Sequence, residues 1–129
     1  MRPDLEEAFI RKFIVKNRQP SYRYFLEKGT SNGYIASMLQ HGQHLDYSLF
    51  QQMQGHPDKV RAAVLRQAAA LKLKSGYIIS FDERSNGLEL PTEAAVNVAC
   101  GQEATLLILG RNQLVYFETE HPSPGYLSQ

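Results

Sequence analysis

The sequence has no tryptophan, one cysteine and no long uninterrupted apolar run. A lone Cys100 cannot form an internal disulfide, and its neighbours in "NVACGQ" are apolar or neutral. That combination points to a reduced, cytosolic compartment. Cys100 also falls near the C-terminus of an expected helix, the wrong end for lowering a thiol's pKa, so it reads as a small buried hydrophobe. In "MRPDLEEAFIRKF" carboxylates precede the apolar residues, which fits neither a secretory signal nor a membrane span. A cytoplasmic protein with no membrane partner is expected. There is no phosphate-cradling glycine loop, Ser-His-Asp order, Cys-His pair or carboxylate dyad. No cofactor is implied, and the reading leans away from an enzyme. Internal repeats and low-complexity tracts are likewise missing.

What is present is ordinary for one soluble domain: 129 residues, 43% hydrophobic and 21% charged, with seven tyrosines and six phenylalanines. A chain of this size buries a core without disulfides or metal. Residues 1–129 are read as a single domain with a loosely ordered tail from about 121. The formal net charge is +1, but residues 1–74 hold twelve Lys and Arg against six Asp and Glu (+6), while residues 75–129 hold two against seven (−5). Such asymmetry serves either an anionic partner or neutralisation between packed halves, and the second is the simpler explanation.

Apolar spacing predicts helices through most of the first half. In "DLEEAFIRKFIVK", Leu5, Phe9 and Phe13 form one stripe with Ile10 and Ile14 beside it, and Asp4 is placed to cap it. A second helix starts after Ser21, with Tyr22, Phe25 and Leu26 inward and Gly29 as its stop; a third starts after Ser31, with Tyr34, Ile35, Met38 and Leu39 inward, ending at Gly42. "YSLFQQM" reads as a short, weak helix, and "PDKVRAAVLRQAAALKL" as the strongest, with Pro57 at its first position. From residue 77 the period changes: "GYIISF", "ATLLIL" and "LVYFE" read as strands and "TEAAVNVAC" as a helix. Strand, helix, strand implies a parallel pair with a right-handed crossover, and "GRNQ" suits a hairpin. The expected fold is therefore α+β, about five helices in the N-terminal half packed with a small three-stranded mixed sheet, order 1-2-3, in the C-terminal half.

Three groups of residues offer chemistry. "LQHGQHLD" carries His41, His44 and Asp46, a conceivable metal set, although Gly42 breaks the helix between the histidines. Helix capping explains the same residues: His41 in a last turn, Gly42 left-handed, Asp46 capping the next segment. Arg11, Lys12, Lys16, Arg18 and Arg23, interleaved with Tyr22 and Tyr24, have the mixture of cations and rings that a nucleic-acid surface needs, or form a solvated helix face. A helix-turn-helix reading of "FLEKGTSNGYIASML" fails where Phe25 stands in place of the small residue that motif requires. Finally, Asp82, Glu83, Arg84 and Asn86 of "SFDERSNGLELP", with Arg111 and Asn112 of the hairpin turn, would gather beyond the carboxyl ends of parallel strands as a ligand or partner site; a solvated turn is the alternative. These features point to a small non-enzymatic interaction or regulatory protein with a protein partner, homo-oligomerisation being compatible. The alternatives are a nucleic-acid-binding protein and, less favoured, a metal-dependent enzyme.

Overall fold

The computed structural model describes residues 1–129. Its helices are α1 (Pro3–Phe13), α2 (Gln19–Glu27), α3 (Ser31–Met38), α4 (Pro57–Ala70) and α5 (Thr92–Ala99), and its strands are β1 (Phe50–Met53), β2 (Ser75–Ser80), β3 (Glu89–Pro91), β4 (Thr105–Leu109), β5 (Leu114–Glu118) and β6 (Gly125–Ser128). They form one α+β domain whose six strands make a single sheet in the order β1-β6-β5-β4-β2-β3, every neighbour antiparallel.

The expected three-stranded mixed sheet is therefore replaced by a six-stranded antiparallel one, and the helices are not confined to the first half. The reversal of β4 has a simple cause. A βαβ crossover requires its helix to run antiparallel to the strand before it. Here β3, paired with β2 from Ser75↔Pro91 to Tyr77↔Glu89, first returns the chain to the end where β2 began. Thr92 Oγ1 donates to Leu73 O at that end, so α5 climbs in the same direction as β2. β4 then descends, in register from Ser80↔Thr105 to Gly76↔Leu109.

The other two corrections are β1 and β6. "YSLFQQM" splits into a single 3-10 turn at Tyr47–Leu49 and the strand Phe50–Met53, while "GYLS", within the stretch read as a tail, forms β6 between β1 and β5.

Strand alternation sends side chains to two cores. Tyr77, Ile79, Leu106, Ile108, Val115 and Phe117 face α1–α3 in a cluster of 18 buried residues with Phe9, Phe13, Tyr22 and Ile35. Ile78, Leu107, Leu109, Leu114, Tyr116 and Leu127 face α4 and α5 in a cluster of 13 with Val64, Ala68 and Val96. β4 and β5 are buried along their whole length, as the unbroken "LLIL" requires. With both faces covered, the sheet leaves only its ends and edges free for recognition.

Local signals shape the helix ends. Pro57 opens α4, whose N-terminus is capped by His56 Nδ1 accepting from Asp58 N–H at 3.1 Å. Asp4 does not cap α1: Arg2 holds the cap position. Gly42 has φ +67°, and a Cβ there would sit 2.4 Å from Tyr47 Oη and 2.5 Å from Thr119 Cγ2, so both its conformation and its surroundings demand glycine.

Candidate functional site

The residues singled out from the sequence do not converge as a group. His41 faces Glu120, its Nδ1 3.9 Å from the carboxylate, and is two-thirds exposed. His44, at φ 71°, has Nδ1 2.9 Å from Tyr22 Oη. Burial, aided by Arg18, pushes the imidazole's pKa down, while burial pushes the Tyr22 hydroxyl's up. Asp46 accepts from Ser48 N–H and Ser48 Oγ–H. No group of three or more His, Cys, Asp or Glu side chains is placed to hold a metal ion.

The β2 and β4 termini separate the third group. Asp82, Glu83, Arg84 and Asn86 lie beyond the C-terminus of β2, whereas Arg111 and Asn112 turn at the opposite end of the sheet, because β4 runs against β2. Asp82 and Arg84 satisfy one another through a two-pronged pair, 3.1 and 2.8 Å, which holds the Asp82 carboxyl below its usual range. Glu83 is exposed. Asn86 accepts from Ser80 N–H and donates to Asn32 Oδ1, fastening the loop to α3. Asn112 is buried and donates to Leu5 O, while Arg111 shares a shallow pocket with Asp4, Glu7 and Arg11.

Of the five basic residues, Arg11 pairs with Glu7 and Lys12 donates to Asn112 O. Lys16, Arg18 and Arg23, around the start of α2, have no carboxylate within ion-pair distance.

The most fully built site was not anticipated. It is a cleft of about 350 Å³ where the β1–α4 turn, the end of α5 and the β5–β6 turn meet, walled by Met53, Pro57, Val60, Pro122 and Pro124. The volume lies in the range of small-ligand pockets. Tyr116 and Glu118 point into it from β5, being two apart on the strand and hence on one face.

Glu118 is a buried carboxylate, its side chain 7% exposed. Oε2 accepts from Tyr116 Oη–H and Gly101 N–H, each at 2.6 Å, and Oε1 lies 2.8 Å from His121 Nε2. A carboxylate offers about four acceptor positions. Three are engaged, two on Oε2 and one on Oε1. No Lys or Arg nitrogen lies within 4 Å of this carboxylate. The anion also sits beside the C-terminal end of α5, where the helix dipole is unfavourable to it. Arg61, which approaches from α4, is engaged by Asp58 at 2.8 Å and Cys100 O at 3.4 Å.

His121 is further positioned by Glu103, whose Oε2 accepts the His121 backbone N–H at 2.8 Å and stands 4.0 Å from Nδ1. Burial and the bond to Glu118 push the Tyr116 pKa up, so its hydroxyl remains a donor. Burial pushes the Cys100 thiol up to about 12, leaving it protonated and poorly nucleophilic at neutral pH. The local pattern "YFETEH" held a usable signal. Tyr116 and Glu118 share a face, and Glu118 ends a strand whose other inward positions are apolar.

No family model matches the chain, and no curated protein or solved structure does so. No helix is long and apolar enough to cross a membrane.

Proposed function

We propose that the protein is an interaction protein whose cleft captures a primary ammonium group, carried by a partner's lysine side chain or by a free amine. The observation that carries this reading is the buried Glu118 carboxylate lining the cleft, with Oε1 in contact with His121 alone and no Lys or Arg within ion-pair distance. An arginine fork needs both carboxylate oxygens, and Oε2 is already filled twice. An ammonium needs only one of them, Oε1. The apolar walls from Met53, Pro57, Val60, Pro122 and Pro124 suit the methylene chain behind such a head group.

Calorimetric titration with n-butylammonium, with Nα-acetyl-lysine methylamide and with n-butanol tests the proposal. For a ligand this small a dissociation constant on the order of 1 mM is expected. Both cations should bind and the alcohol should not, and Glu118→Gln should weaken binding at least about tenfold. Tighter binding of the lysine compound assigns the cleft to a protein partner, and tighter binding of butylammonium to a free amine. Equal affinity for butanol, or no saturable heat with either cation, would overturn the reading.

A second reading rests on Lys16, Arg18 and Arg23, which lack ion-pair partners, with the exposed Tyr24 next to Arg23 in the chain. These cations form a polyanion-binding surface, with nucleic acid as the partner.

A further inference from the structure

We propose that the outer edge of β1 receives an extended, acidic segment of a partner protein by strand addition, independently of the cleft. β1 is an edge strand, and Gln51 and Gln52 are both exposed. Gln129 N–H donates to Leu49 O at 3.0 Å. In an antiparallel ladder hydrogen-bonded pairs alternate, so Gln51 and Met53 turn their backbone groups toward β6, and Phe50 and Gln52 turn theirs outward. Phe50 N–H is taken by Tyr47 O. Phe50 C=O and both backbone groups of Gln52 remain as a template for another strand.

Natural edges are usually defended by Lys, Pro, a bulge or brevity. "FQQM" has none of the first three, whereas the opposite edge, β3, is three residues long, ends in Pro91 and has Glu89 held by Arg2. A groove of about 410 Å³ lies between α4 and the β1–β6 face, lined by Gln51 and Met53 of β1, Leu127 and Ser128 of β6, and Arg66 and Gln67 of α4. On the opposite face the Tyr47 ring packs on Tyr126 of β6 and Phe117 of β5, at 5.1 and 5.8 Å between centroids. An added strand would thus turn alternate side chains toward the α4 side, where the groove opens, the arrangement by which edge-binding domains combine backbone affinity with side-chain selection.

Charge selects the occupant. Arg66 is exposed in the groove with no carboxylate within ion-pair distance. A second copy would present "FQQM", which contains no acid, and would leave the guanidinium unmatched. A partner strand with Asp or Glu at the position facing α4 matches it.

Selection of a phage-displayed library of random nonapeptides against the whole protein tests this. Enriched peptides should carry a carboxylate at one fixed position, lose binding to Gln52→Pro, and bind Arg66→Glu at least tenfold more weakly. Arg66 is on the surface of α4, so that variant keeps the fold even if the proline disturbs it. Failure to enrich any peptide, or equal affinity for wild type and Arg66→Glu, would overturn the proposal. So would a concentration-dependent dimer in sedimentation that Gln52→Pro abolishes, which would give the edge to a second copy.

Discussion

Raising the pH should unfold this protein over a narrow interval, because three tyrosines and the cysteine are buried in their protonated forms. Tyr22, Tyr77 and Tyr116 are each no more than 2% exposed, and Cys100 is 4% exposed. Burial is the main cause that raises all four pKa values; Tyr77 and Tyr116 are raised further by donating to Glu6 and Glu118. Tyr77 and Cys100 reach about 12. A raised pKa contributes stability that is intact below the unfolded-state value and is lost as pH climbs past it. The thiol begins to cost stability above about pH 9 and the phenols above about pH 10. Each group withdraws about 1.4 kcal/mol per pH unit, so the three phenols together remove about 4 kcal/mol per unit and the thiol about 1.4 more. By about pH 11 the loss is about 7 kcal/mol, against about 5–15 kcal/mol for a typical domain. Phenolate absorbance at about 295 nm and far-ultraviolet circular dichroism, followed in one titration, should therefore change together between about pH 11 and 12 for these groups. Tyr77→Phe should lower the slope of stability against pH by about 1.4 kcal/mol per unit. Release of all tyrosine protons near pH 10 with the dichroism still native would refute the reasoning.

Three further outcomes are expected. Gly42→Ala should cost about 2–4 kcal/mol in urea unfolding, since the residue is left-handed and the new methyl meets Tyr47 Oη and Thr119 Cγ2; a loss below about 0.5 kcal/mol would contradict that packing. Glu118→Gln should destabilise by about 1–3 kcal/mol near neutral pH, because an amide cannot accept from Tyr116, Gly101 and His121 at once; an unchanged urea midpoint would argue against the triple engagement. Simultaneous replacement of Lys16, Arg18 and Arg23 by glutamine should bring elution from heparin to lower salt, and retention unaffected by the change would dismiss the polyanion surface.

Much of the helical framework could be read from side-chain spacing. Leu5, Phe9 and Phe13 are indeed the buried stripe of α1, and Pro57 opens α4. Gly29 and Gly42 both adopt positive φ where helices end. The strands that could be read were those with strong β formers, and those that could not were polar or short. "FQQM" is an edge strand with two exposed glutamines, and "GYLS" is held in place by β1 and β5 on either side rather than by its own composition. The direction of β4 depended on three residues, Glu89–Pro91, too few to register as a strand in the sequence. That one reversal carried Arg111 and Asn112 to the far end of the sheet from Asp82. It also brought Gly101, at the end of α5, to the Glu118 carboxylate on β5. Residues 17 positions apart in the chain became direct partners, a pairing that local pattern does not encode.

The most direct test of the cleft is the amide resonance of Gly101, whose N–H is bonded to Glu118 Oε2 and therefore reports on the charge and position of that carboxylate. Titration with n-butylammonium should move this resonance saturably in the wild type, leave it unmoved in Glu118→Gln, and n-butanol should leave it unmoved in both. Equal shifts with the alcohol, or a Gly101 resonance indifferent to the ammonium, would contradict the claim that Glu118 receives a cation in the cleft.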